Sequence, residues 1–191
     1  MIKITKINAG IPVGTEVPER QHHGNVGRWV EAEMRRQGWH VTEGKGADMP
    51  EVGIEIKSRK IESNSHHTVG TMAIDEIIYT PYDLSVVKDK FQKQYRVHYS
   101  DEGQVVVAEG LVDLSDDYIQ SKIREAYETA RKKIIENQEL GFHPPYVKGT
   151  EWGHFEIAQS YSSYRFRIPN HSMKKIEKVS KNAGIFDRLF E

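Results

Sequence analysis

Asp48, Glu55 and Lys57 are the residues whose types and spacing best suit a chemical reaction. They lie in residues 46–59, GADMPEVGIEIKSR, and the alternation of aliphatic and polar residues from Val52 to Arg59 predicts a strand. Side chains two residues apart on a strand project from the same face, so Glu55 and Lys57 are expected side by side. Charged groups near a core are costly unless they are paired or bound to a metal ion.

Asp48 adds a second carboxylate to this strand. The Met49-Pro50-Glu51 stretch that follows it can turn the chain and bring Asp48 back beside Glu55. Converging carboxylates repel each other, and a divalent cation removes that repulsion; hard oxygen ligands suit Mg²⁺. A metal ion, a water molecule and a lysine are what phosphodiester hydrolysis requires. The alternative is a solvent-exposed strand whose Glu55 and Lys57 pair across the surface.

A helix just upstream carries a third carboxylate. Apolar residues recur at three- and four-residue spacing over residues 25–37. Glu31 lies nearer the edge of the apolar side than Glu33 does, so Glu31 is the better candidate to approach the same metal ion. Gly24 and Gly27 would allow the helix start to come close to a backbone or a phosphate.

These two motifs carry a resemblance to a known family. They are Gly24-x-x-Gly27-x-x-x-Glu31 and Asp48-x₆-Glu55-Ile56-Lys57. As a set they resemble the PD-(D/E)xK nuclease superfamily, and more narrowly its branch of MutH-like and MvaI/BcnI-like restriction endonucleases. The resemblance implies that Asp48 and Glu55 ligate Mg²⁺, which Mn²⁺ could replace, and that Glu31 completes the site directly or through water. Lys57 would orient the attacking water or stabilise the scissile phosphate.

The activity implied is in-line hydrolysis of a DNA phosphodiester, leaving 5′-phosphate and 3′-hydroxyl ends. We expect a type II restriction-like endonuclease that acts at a specific double-stranded sequence. The alternatives are a MutH-like nicking endonuclease of DNA repair and a catalytically inactive DNA-binding module. The expected partner is double-stranded DNA, and the expected state is a monomer, or a dimer on DNA.

Residues outside the catalytic motifs that could contact DNA are basic, aromatic or polar. They are Arg59 and Lys60 after the catalytic strand, His66 and His67 in a polar loop, Tyr164, Arg165 and Arg167 in a late strand, and Asn170, His171, Lys174 and Lys175 at the start of the last helix. Arginines can contact guanine edges, and tyrosines and helix starts can contact phosphates. The alternatives are a plain loop, an edge strand with an aromatic core face, and a solvated surface.

Composition narrows the class of protein. The 191 residues include no cysteine, which excludes disulfide scaffolds, cysteine-ligated metal sites and cysteine nucleophiles. The net charge is −1, but residues 164–184 carry six basic residues against one acid, and residues 88–98 carry four against one. Either patch could meet an anion. No apolar run approaches the roughly 18 residues of a membrane span, so a soluble, cytoplasmic protein is expected.

Hydrophobic periodicity predicts a mixed α+β fold with a central mixed sheet flanked by helices. Strands are predicted over residues 2–8, 39–42, 52–59, 72–79, 95–99, 105–114 and 155–168, and helices over 25–37, 83–93, 115–137 and 171–182. Ser115 is the predicted cap of the longest helix. The resemblance implies a restriction-endonuclease-like fold, a single nuclease domain over residues 1–191. Its two lobes would form a MutH-like clamp, with a catalytic lobe over roughly 1–113 and a DNA-clamping lobe over 114–191.

Overall fold

A computed structural model describes residues 10–18, 25–43, 45–100, 102, 104–158 and 162–182. Over these residues the chain has the predicted mixed α+β fold. Its helices are α1 (Asn25–Arg36), α2 (Ile74–Tyr79), α3 (Val86–Lys90), α4 (Asp117–Glu139) and α5 (Asn170–Asn182), with a 3₁₀ turn at Tyr82–Leu84. Its strands are β1 (Ile54–Lys60), β2 (His67–Ala73), β3 (Lys93–Ser100), β4 (Val105–Asp113), β5 (Tyr146–Thr150), β6 (Gly153–Ile157) and β7 (Ser163–Ile168). The strand predicted over 2–8 lies outside the described residues.

The chain separates into two compact units. Among the residues described up to Lys178, the first unit takes 10–63 and Gln92–Asp113, and the second takes Asn64–Phe91 and Leu114–Lys178. The boundary predicted after residue 113 is one of the positions where the chain passes from one unit to the other. Residues 64–91 belong with the second unit, although the prediction assigned them to the first lobe.

The first unit contains a three-stranded sheet in the order β1–β3–β4. β1 and β3 run parallel, and β3 and β4 form the predicted antiparallel hairpin. Helix α1 packs on β1 and buries Val26, Val30 and Met34, which recur every fourth residue on one helix face. The chain leaves the helix through Gly38, whose φ of 91° suits glycine at a helix end.

The second unit contains a four-stranded antiparallel sheet in the order β2–β7–β6–β5. Helix α4 packs against β5 and β6 and buries the predicted stripe of Ile119, Ile123, Ala126, Ala130 and Ile134. Its cap is Asp116 rather than Ser115. The Asp116 side chain accepts hydrogen bonds of 3.0 and 3.1 Å from the backbone N–H groups of Tyr118 and Ile119.

Several element predictions are wrong in detail. The described strands form two sheets rather than one central sheet. The segment 72–79 is a strand only to Ala73, because α2 begins at Ile74 with two acidic residues in its first turn, where they favour a helix. The segment 155–168 is two antiparallel strands, β6 and β7, and β5 was not predicted. Residues 39–42 form no strand. None of the described helices is long and apolar enough to cross a membrane.

Candidate active site

The turn before β1 brings Asp48 and Glu55 together, as predicted. Met49 and Ile54 form an antiparallel bridge, with N–H···O=C distances of 2.8 and 3.2 Å in the two directions. The chain between them turns tightly through Gly53, whose φ of 65° is a conformation that glycine adopts without steric cost. The turn therefore places Asp48 beside the first residues of β1.

Asp48 is bound to β1 through its side chain and its backbone. Its Oδ2 accepts a hydrogen bond of 2.8 Å from the backbone N–H of Ile56. Its own backbone N–H donates to Oε2 of Glu55 at 3.3 Å. Hydrogen bonds from backbone N–H groups therefore hold both carboxyl groups at the start of β1.

Glu55 and Lys57 form an ion pair that reaches from the interior to the surface. Glu55 is 1% exposed, and its Oε1 accepts a hydrogen bond from Nζ of Lys57, whose side chain is 31% exposed. Burying a carboxylate costs free energy unless it is paired and hydrogen-bonded, and both oxygens of Glu55 have a donor. The alternative of a pair on a solvent-exposed strand is wrong because Glu55 is buried.

Glu31 of α1 interacts electrostatically with Asp48 and Glu55, whereas Glu33 pairs with Arg36. Burial raises the pKa of Glu31, the negative charge of Asp48 raises it further, and Arg35 lowers it. Arg35 lies 3.6 Å from Glu31, while Glu33 accepts a 2.7 Å hydrogen bond from Arg36. The choice of Glu31 over Glu33 as a metal ligand stays a prediction. Gly27 of the same helix faces Ser58 of β1, and Gly24 lies outside the described residues.

The carboxylate pair fits a Mg²⁺ ion that keeps part of its water shell. Within the described ranges, no three His, Asp or Glu side chains are grouped as a metal site of three protein ligands would require. Mg²⁺ commonly uses one or two carboxylates together with waters and substrate phosphates. Asp48 and Glu55 could supply those carboxylates, and Glu31 is close enough for its charge to interact with both.

Two residues of the site were missed by the sequence analysis. The register of β1 and β3 pairs Glu55 with Gln94 and Lys57 with Arg96. Arg96 was counted in the basic patch over residues 88–98, but it is buried, as is Gln94. Polar residues at every second position of β3 were the signal for this polar face. The pairing of β3 with β1 links residues about forty positions apart, which periodicity cannot predict.

In the first unit, the predicted DNA contacts Arg59 and Lys60 follow Lys57 at the end of β1. Both are half-buried. Arg59 donates a hydrogen bond of 2.6 Å from Nη2 to the carbonyl of Ser63. This contact holds part of the guanidinium against the loop that follows β1.

In the second unit, Arg165 and Arg167 of β7 lie on the same half-exposed face of the sheet. Arg167 bonds Glu156 at 2.6 Å and the carbonyl of His66 at 3.2 Å. Tyr164 lies on the other face, is fully buried, and donates to the carbonyl of Pro144 at 2.7 Å. The prediction of Tyr164 as a DNA contact is wrong. Side chains alternate between the two faces along β7, and the side chain of Tyr164 lies on the core face.

The two histidines at the start of β2 have partners within the second unit. His66 is exposed, with its Nδ1 3.2 Å from Nε2 of the buried His154. His67 lies with Nε2 3.3 Å from Oδ1 of Asn170, the first residue of α5. These contacts join the loop before β2 to β6 and to the start of α5.

The first turns of α5 present cations to solvent. His171, Lys174 and Lys175 are exposed, and Nζ of Lys175 lies 5.8 Å from the centroid of the Trp152 ring. These positions agree with a surface that could meet an anion. Lys178 and Lys181, which completed the predicted basic patch, have side chains outside the described set.

Comparison of the chain with models of known protein families finds no match, and comparison with curated proteins finds no significant match.

Proposed function

We propose that this protein is a Mg²⁺-dependent endonuclease that hydrolyses phosphodiester bonds at a specific sequence in double-stranded DNA. The proposal depends above all on the convergence of Asp48 and Glu55 beside Lys57. Burying a carboxylate next to a second carboxylate and a lysine costs folding free energy. Binding of a divalent cation would explain why the protein has this arrangement. The resemblance of its motifs to PD-(D/E)xK nucleases supports the same activity.

The residues have separate roles in the proposed reaction. Asp48 and Glu55 hold the metal ion, with Glu31 beside them. When bound, Mg²⁺ supplies positive charge to the phosphate and acidifies water. Lys57 leaves Glu55 and donates to the attacking water or a phosphate oxygen. The oxygen of water bonds to phosphorus and releases a proton to solvent as the P–O3′ bond breaks. The departing O3′ takes a proton from solvent, which leaves 3′-hydroxyl and 5′-phosphate ends.

The test is incubation of the purified protein with supercoiled plasmid and phage DNA in Mg²⁺, Mn²⁺, Ca²⁺ or EDTA. Discrete linear fragments in Mg²⁺ that are absent in EDTA support the proposal, and sequencing their ends identifies the site. Open circles alone identify a nicking enzyme instead. DNA binding without cleavage in any of the cations contradicts a nuclease and identifies a binding module.

A matched pair of variants tests the carboxylate on α1. Glu31→Gln removes the charge that interacts with Asp48, whereas Glu33→Gln removes a charge on the same helix that pairs with Arg36. We expect cleavage to fall in Glu31→Gln and to persist in Glu33→Gln. Equal activity of the two variants would remove Glu31 from the proposed site.

A further inference from the structure

We infer that Gln94 and Arg96 are positioning residues that hold Glu55 ready to bind a divalent cation, an inference that rests on the proposed function. The parallel register pairs Glu55 with Gln94 and Lys57 with Arg96. Paired residues on neighbouring strands, about 4.8 Å apart, project from the same face of a sheet. The four side chains therefore form one polar cluster, which we call the β1–β3 cluster.

Arg96 fixes the orientation of the Gln94 amide. Its Nε and Nη2 donate to Oε1 of Gln94 at 3.1 and 2.7 Å. Arg96 is 5% exposed and Gln94 is 3% exposed, so neither is an ordinary surface side chain. A guanidinium has only donors, so the amide must turn its oxygen to Arg96. The amide N–H₂ group is then on the side of the amide away from the guanidinium, and it is a donor on the face of the sheet that also carries Glu55.

The positive charge of Arg96 belongs to the same cluster as the negative charge of Glu55. On its other side, Arg96 pairs in register with Gly110 of β4, which adds no side chain to that face. A buried guanidinium is stable only where negative charge is near, and Glu55 is a buried carboxylate of the same face. When Lys57 leaves Glu55 for a phosphate, Arg96 remains as the fixed cation of the cluster.

Arg96→Met and Gln94→Met test the inference with a readout that does not depend on cleavage. Loss of a residue that orients a metal ligand commonly lowers metal affinity or activity by about 10- to 100-fold. We expect that loss in Mn²⁺ affinity by calorimetry and in kcat, with unchanged DNA affinity in Ca²⁺. Arg96→Lys should recover only part of it, because an ammonium lacks the two-donor fork.

Lys93→Met is the matched control, because Lys93 is a cation of the same strand on the opposite face, paired with Ile54. The inference is overturned if Arg96→Met and Gln94→Met bind Mn²⁺ and cleave DNA as Lys93→Met does. If the methionine variants do not fold, Gln94→Glu replaces them, since it keeps an acceptor for Arg96 but loses the amide donor. Wild-type activity in Gln94→Glu would equally overturn it.

The same experiments give a different result if the proposed function, rather than this inference, is wrong. A wild-type protein that binds Mn²⁺ but cuts no DNA contradicts the nuclease, while the Mn²⁺ affinities of the variants still test the positioning of Glu55. A wild-type protein that cuts DNA, with variants that cut equally well, contradicts the inference alone.

Discussion

Oδ2 of Asp48 accepts a 2.8 Å hydrogen bond from the backbone N–H of Ile56, which anchors the turn before β1 to the strand that carries Glu55. The carboxylate is therefore placed by the backbone and not by a flexible side-chain contact. An asparagine at position 48 keeps a carbonyl oxygen for the same hydrogen bond, so charge can be removed while the geometry is retained.

Asp48→Asn is expected to weaken Mn²⁺ binding by about 100-fold, because a charge–charge attraction of about 3 kcal/mol is lost near a partly buried site. DNA affinity in Ca²⁺-free buffer should rise, since one negative charge facing phosphate is removed. Calorimetry with Mn²⁺ and fluorescence anisotropy with a labelled duplex measure the two effects. Unchanged Mn²⁺ affinity and unchanged Mg²⁺ dependence would argue against Asp48 as a ligand.

Lys57→Ala is expected to lower the cleavage rate by about 10²- to 10³-fold, the usual cost of one preorganised electrostatic group. It also removes the cation that donates to the buried Glu55, which should cost about 3 kcal/mol of folding stability. Adding Glu55→Gln removes the carboxylate charge that Lys57 balances, so the double variant should regain most of this stability without regaining cleavage. Urea unfolding and a plasmid assay separate the two roles. Normal cleavage by Lys57→Ala would refute its assignment.

The turn that joins Asp48 to Glu55 was predictable because its determinants are local. Pro50 and Gly53 lie between Asp48 and Glu55 in one short segment, so spacing and turn chemistry alone indicate that the two carboxylates meet. The apolar stripe of α1 was predictable in the same way. Long, strongly periodic helices are predictable for the same reason, as the buried stripe of α4 illustrates.

The remaining features depend on pairings between distant segments. The position of Arg96 beside Lys57 could be recognised only once β3 was known to lie parallel to β1. Alternation along β7 showed that Tyr164 and Arg165 face opposite ways, but not which face enters the core until the pairing with β2 and β6 was known. The division of the chain into two units depends on the same non-local contacts.

The buried His154 should make the protein less stable in acid. Its pKa is lowered from 6.5 to about 4, mainly by burial; His66 and Arg167 also lower it, and Glu156 raises it. Between these values the unfolded chain binds the proton and the folded chain does not. The contribution, up to about 3 kcal/mol, is thus fully present above pH 6.5 and is lost as the pH falls toward 4.

His154→Phe isolates this contribution, because it keeps a buried ring beside Tyr146 but cannot titrate. Urea unfolding from pH 7 to pH 4.5 in EDTA gives the free energies of unfolding of both proteins. We expect the wild type to lose more stability than the variant over this range. The raised pKa of Glu31 acts in the opposite direction in both proteins and cancels in their difference. Parallel pH profiles would contradict a neutral buried His154.

Lys174 and Tyr164 should differ in their effect on DNA binding, because one is exposed on α5 and the other is buried under the sheet. DNA affinity of the wild type should fall steeply between about 50 and 200 mM salt. Lys174→Ala should weaken binding and reduce the slope of log K against log salt by about 1, the effect of one lost phosphate contact. Tyr164→Phe should leave the slope unchanged and lower stability by about 1 kcal/mol, because its hydrogen bond to the Pro144 carbonyl is lost.

Lys132→Ala, which removes an exposed cation of α4, is the control for net charge. A slope that changes equally in Lys174→Ala and Lys132→Ala would mean that the start of α5 does not contact the DNA backbone specifically.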